Sequence, residues 1–110
     1  MFKIYYDSEG DLLEIQLGHT SRTRRGIGLT DQITLFYDED METPLGLTAA
    51  SYAKLLDQPR LPLTELLDAP ENIQQKVRQS LQRKPLGRFI HLEEDFVELE
   101  DIRMSELVHP

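Results

Sequence analysis

The sequence predicts an α+β fold: an antiparallel β-meander, one main amphipathic helix packed on the sheet, and a short C-terminal hairpin. Three patterns carry this reading. Apolar residues alternate with polar ones through residues 2–6, 12–17 and 27–37, the period of half-buried strands. Ile73, Val77 and Leu81 recur at spacing four, the period of a helix with one buried face. Two short apolar runs in the tail, 89–92 and 96–99, flank Glu93-Glu94-Asp95 as strands flank a turn.

A chain of 110 residues fits one domain, since single cores occupy about 100 to 200 residues. Within it we read residues 1–48 as the meander, 49–84 as a helical region and 89–110 as the C-terminal hairpin and tail. With 39% apolar and 29% charged residues, the composition is that of a folding chain rather than a disordered one.

The first hairpin joins residues 2–6 to 12–17 through Asp7-Ser8-Glu9-Gly10-Asp11, a run of residues that supply turn geometry. Phe2, Ile4 and Tyr6 share one face of the first strand, and Leu13, Ile15 and Leu17 one face of the second. Gly18 to Arg25 is polar and reads as a loop or frayed edge. Ile27, Leu29, Ile33, Leu35 and Tyr37 then fall on odd positions, interrupted by a turn or bulge at Thr30-Asp31-Gln32. Asp38 to Thr43 forms the next turn, and Leu45 to Thr48 the next strand.

From Ala49 the period changes. ASYAKLLDQP predicts a short helix ended by Pro59, and LTELLDAP a turn that gathers Leu63, Leu66 and Leu67. The main helix is expected over Asp68 to Lys84, with Asp68 as cap, Pro70 in the first turn and Glu71 three residues after the cap. Arg83 and Lys84 suit its negative end, and Pro85 and Gly87 follow.

The opening YDSEGDLLEIQL, followed by ITLFYDEDMETPLGLT, resembles a small bacterial family known as domain of unknown function 2283. The residues that carry the likeness are Tyr6-Asp7, Asp11, Leu13, Ile15 and Leu17, then Leu35, Tyr37-Asp38-Glu39-Asp40 and Leu45-Gly46-Leu47. They span about the first half of the chain. Met41-Glu42-Thr43-Pro44 stands where such domains usually carry Asn or Gly. The resemblance implies a β-meander with a packed helix and no established activity.

Function is read mainly by exclusion. A net charge of −8, with 9 acids and 5 bases in residues 1–55 and 11 and 7 in residues 56–110, argues against a nucleic-acid partner, which needs clustered cations. The absence of cysteine removes disulfides, thiol nucleophiles and thiolate metal sites. With no apolar signal core at the N-terminus and no run of about 18 apolar residues, a cytoplasmic protein without a membrane partner is expected.

Asp7, Glu9, Asp11 and Glu14 fall in or beside a solvated turn, where the burial that tunes a general acid is not expected. An EF-hand beginning at Asp38 would need Gly sixth and Glu twelfth, and finds Thr43 and Ala49. His19, His91 and His109 are scattered, with no spacing that gathers a metal. Gly26-Ile27-Gly28 is too short for a phosphate cradle, and no serine lies in a nucleophile elbow. No catalytic, cofactor or metal residue is therefore assigned, and no cofactor is expected.

Two charged groups remain. Arg22, Arg24 and Arg25 are opposite in sign to the molecule and suit either protection of a sheet edge or a contact with an acidic partner. The run EEDFVELED, with Glu93, Glu94, Phe96 and Glu98, suits an edge strand or a partner-binding segment. The leading expectation is a non-enzymatic interaction or regulatory module with a protein partner, including a homodimer that joins the two groups. The alternatives are an enzyme whose fold brings Asp38, Asp40 and His91 together, and weak nucleic-acid binding through residues 22–25.

Overall fold

In a computed structural model of the chain, residues 2–18, 24–58 and 60–101 are described, together with the backbone of 108–109. Strands β1 (Phe2–Asp7) and β2 (Leu12–Leu17) form the first hairpin, with Ile4 opposite Ile15 and Tyr6 opposite Leu13. Strands β3 (Arg24–Gly28), β4 (Ile33–Asp38) and β5 (Pro44–Ala50) follow as a second antiparallel unit. The turn between β3 and β4 is closed by Thr30, whose Oγ1 accepts the N–H groups of Gln32 and Ile33.

The two units meet out of chain order. β5 turns back to pair antiparallel with β2, so Leu47 faces Ile15 and Ala49 faces Leu13. β3 is left as an outer strand. At the other edge β9 (Val108–His109) runs parallel to β1, giving the order β3-β4-β5-β2-β1-β9. No local pattern announces a two-residue parallel strand.

The predicted period-two face is the buried one: Ile4, Leu13, Ile15, Ile33, Leu35, Tyr37, Leu47 and Ala49 are all in the core. A helix, α1 (Tyr52–Leu56), follows β5. Its first turn is held by Asp11, whose carboxylate accepts the Ala53 N–H at 2.9 Å and whose carbonyl accepts the Tyr52 N–H. This supplies α1 with a capping anion from a distant turn, because Ser51 makes no side-chain cap bond. Tyr6 donates to the same carboxylate at 2.6 Å.

The main helix, α2, covers Glu71–Gln82 rather than Asp68–Lys84. Asp68 does not cap it. It ends a 3₁₀ turn over Leu66–Asp68, and Ala69 is extended because a residue before proline avoids the helical region. Arg83 is likewise extended, two residues before Pro85. Leu63 and Leu66 are buried as expected, whereas Leu67 is exposed.

α2 buries Val77, Ser80 and Leu81, with Ile73 partly buried against the same core. A second, smaller sheet follows the order β6-β8-β7, from β6 (Leu61–Pro62), β7 (Ile90–Glu93) and β8 (Phe96–Leu99). The C-terminal hairpin is thus β7–β8, with Glu93 opposite Phe96. Leu61, Ile90 and Val97 of this sheet, the helix residues and the large-sheet residues belong to one buried cluster. No described helix is long and apolar enough to cross a membrane.

The join between sheet and helix is partly polar. Tyr37 of β4 is fully buried, and its hydroxyl lies 2.7 Å from Ser80 Oγ, which itself donates to the Lys76 carbonyl. Burial raises the Tyr37 pKa, an effect that outweighs the opposing hydrogen bond with Ser80. A raised folded pKa gives stability that is whole below the unfolded value of about 10 and declines as pH climbs toward the folded one.

Replacing Val77 with Asp would bury an unpaired carboxylate at a cost of several kcal/mol, against a total stability of about 5–15 kcal/mol. The variant is expected to show no cooperative thermal transition, and an intact one would refute this packing. Tyr37→Phe is expected to cost about 1 kcal/mol at neutral pH and to flatten the loss of stability above pH 10. Denaturant titrations of both proteins from pH 7 to 11 measure this, and parallel curves for the two would contradict it.

Candidate functional site

The large sheet buries one face against the helices, and its other face carries the even-numbered side chains of β2, β4 and β5. Cross-strand rows on that face run Gln16–Gly46–Phe36–Gly26 and Glu14–Thr48–Thr34–Gly28. Gly46 lies where β5 is squeezed between its neighbours: a Cβ there would sit 2.5 Å from the Ile15 carbonyl oxygen. Beside it the register shifts. Phe36 pairs with Gly46 but Tyr37 pairs with Pro44, so Leu45 is an extra residue, a β-bulge.

These features leave a pocket of about 270 Å³ over Gly46, bounded by Glu14, Gln16, Phe36, Leu45 and Arg24. The Phe36 ring leans over Gly26, where an added Cβ would lie 3.2 Å from Phe36 Cε1. Arg24 lies across that ring, its guanidinium carbon 4.1 Å from the centroid. Such a stack holds the cation flat and leaves its N–H edge for an anion. Arg24 and Arg25 make no ion pair with a described residue.

The sequence singled out Arg22, Arg24 and Arg25 as one basic group. Arg24 and Arg25 both lie on β3, the sheet's outer strand, and Arg22 lies outside the described residues. Asp38 stands across from Arg24, but its Oδ1 is occupied by the N–H groups of Glu42 and Thr43 at 2.9 and 3.1 Å. Those backbone bonds, Thr43 first, hold the Asp38 carboxyl below its ordinary pKa.

The acidic group has a partner that local reading missed. Arg60 bonds Glu93 at 2.9 Å, approaches Glu98 at 3.8 Å, and lies over the Phe96 ring at 4.5 Å. One cation 33 residues upstream thus gathers three of the four residues proposed for partner binding. It arrives there because β6 pairs with β8, placing Leu61 opposite Val97. Glu94 holds a left-handed backbone, φ 49°, in the β7–β8 turn, and its carbonyl accepts from Arg78 at 2.6 Å.

The other acidic turns are structural. Asp7 Oδ1 accepts the N–H groups of Glu9 and Gly10, closing the β1–β2 turn. Asp38 does the same for the β4–β5 turn. His91 lies on the small sheet and bonds Glu100 at 3.0 Å, while Asp38 and Asp40 lie at the end of β4 on the large one. The fold therefore does not assemble Asp38, Asp40 and His91. Among the described residues no group of three potential ligands could hold a metal ion. His109 is placed by its backbone only, and His19 lies outside the described residues.

No family model, curated protein or solved structure matches the chain.

Gly46→Ala would force the backbone of the central β2–β5 pair apart, because the obstructing atom is a carbonyl oxygen rather than a movable side chain. A cost of about 1–3 kcal/mol is expected, in the range of overpacked sites. Gly28→Ala, opposed only by the tip of Glu65, is expected to cost less. Chemical denaturation of the two variants gives the comparison, and equal costs would contradict it.

Proposed function

We propose that the protein is a non-enzymatic interaction or regulatory module that binds a protein partner through the basic strand β3. The observation that carries this reading is the contrast between the two charged groups. Glu93 and Glu98 have their counter-charge within the chain, in Arg60. Arg24 and Arg25 make no ion pair with a described residue, although the molecule carries a net charge of −8.

The chemistry of such a contact follows from the strand's position. An outer strand offers backbone N–H and C=O groups to an extended segment, and flanking arginines favour carboxylates on that segment. Kinship with the family that the first half resembles is likewise a proposal, resting on Tyr6-Asp7, Leu13, Ile15 and Leu17 and on the turn after Tyr37.

The test is capture from the native host with tagged protein at endogenous level, with and without nuclease, comparing wild type with Arg24→Ala/Arg25→Ala. A partner that survives nuclease and is lost with the double variant is the expected result. Capture that is indifferent to both arginines would overturn the assignment to β3, and capture abolished by nuclease would favour nucleic acid instead.

A further inference from the structure

We infer that β3 also pairs with β3 of a second copy of this chain, antiparallel about Gly26, joining the two large sheets edge to edge. The inference rests on the interaction-module reading and specifies one occupant of the same strand. Three features of the strand support it.

The first is the direction of the backbone groups. Leu29, just past the strand, donates its N–H to the Ile33 carbonyl on the β4 side, while its own carbonyl accepts the N–H groups of Glu65 and Leu66. Hydrogen-bonding direction alternates along a strand, so 27 and 25 face β4 as well. Arg24, Gly26 and Gly28 then turn their N–H and C=O groups outward. A two-fold axis at Gly26 pairs Gly26 with its own copy and Arg24 with Gly28 of the other chain. In this register the outward groups of all three positions meet partners.

The second is charge. The place a Cβ would take on Gly28 is filled by the carboxylate of Glu65, so Gly28 carries a borrowed acidic side chain. Glu65 makes no ion pair with a described residue and is exposed. Arg24 and Gly28 are four positions apart on one strand and share a face. Pairing about Gly26 therefore sets each Arg24 directly across from the other copy's Gly28 and its covering Glu65, as an opposite-charge cross-strand pair. The guanidinium leaves its seat on Phe36, or reaches past it, to make this contact.

The third is the exclusion of a parallel arrangement. Antiparallel pairing about Gly26 sends the two Arg24-Arg25 pairs to opposite ends of the joint. A parallel pairing sets like charges side by side, which is destabilising. Ile27, half-exposed on β3, comes to lie opposite Arg25 of the other copy, whose aliphatic stem can cover it. The complementary group for Arg24 is thus Glu65 rather than the 93–101 segment.

Sedimentation velocity on the full chain, from about 1 to 200 µM, tests the inference, with thermal melting of each variant as a check of folding. The expected wild-type result is a monomer–dimer equilibrium. Arg24→Glu and Glu65→Arg should each weaken it at least tenfold, and the double variant Arg24→Glu/Glu65→Arg should restore it. A wild-type monomer throughout that range overturns the inference, as does a dimer unaffected by either single reversal or not recovered in the double. The interaction-module reading fails separately: Glu65→Arg keeps both arginines, so this variant should still capture the partner even if no dimer forms.

Discussion

The pairing of β2 with β5 is the contact on which the rest of the structure depends. It joins the β1–β2 hairpin, too small to be stable alone, to the β3–β4–β5 run. Joined, they present Ile15, Leu47, Leu13 and Ala49 as a continuous row to the helix side. The same pairing sets Asp11 beside the start of α1, which begins two residues after β5 ends. It also dictates glycine at position 46, because the Ile15 carbonyl leaves no room for a side chain. The Gly46 pocket is a by-product of that close approach and of the bulge at Leu45 beside it.

Burial is combined with polar closure where elements meet. Tyr37 fills the space between β4 and α2, and its hydroxyl finds Ser80 rather than water. Tyr52 similarly donates its hydroxyl to the Glu100 carbonyl, linking α1 to the end of the small sheet. Among the described residues no buried side-chain polar atom lacks a hydrogen-bond partner. Such satisfaction matters because an orphaned buried donor or acceptor costs about 1–3 kcal/mol, a large part of a small domain's stability.

The distribution of charge follows from topology. Among the acidic residues, Asp7 and Asp38 are turn carboxylates engaged by backbone N–H groups, and Glu93 and Glu98 are strand carboxylates gathered by Arg60. Exposed pairs of this kind contribute at most about 1 kcal/mol each, so their main effect is on the surface presented to others. The C-terminal acidic strand thus shares one cation of the same chain, whereas Arg24 and Arg25 of β3 make no ion pair with a described residue. This asymmetry is what the proposal of an interaction surface on β3 rests on.

The amino-acid sequence by itself determined the local periods and breaks. Alternation in 2–6, 12–17 and 33–37 placed those strands, spacing four through Ile73, Val77 and Leu81 placed the main helix, and Glu93-Glu94-Asp95 placed the last hairpin. These signals are legible because they reside in neighbouring residues. The helix start was misread because the cap pattern at Asp68 resembles a start signal, whereas the extended residue before Pro70 decides the matter. Only the tertiary structure decided that β5 lies beside β2, that β3 and β9 become the edges, and that Arg60 meets Glu93 and Glu98. Each of those outcomes joins segments some thirty to a hundred residues apart. Such contacts are selected by burial of the shared core and by chain closure, neither of which leaves a mark in any short window of sequence.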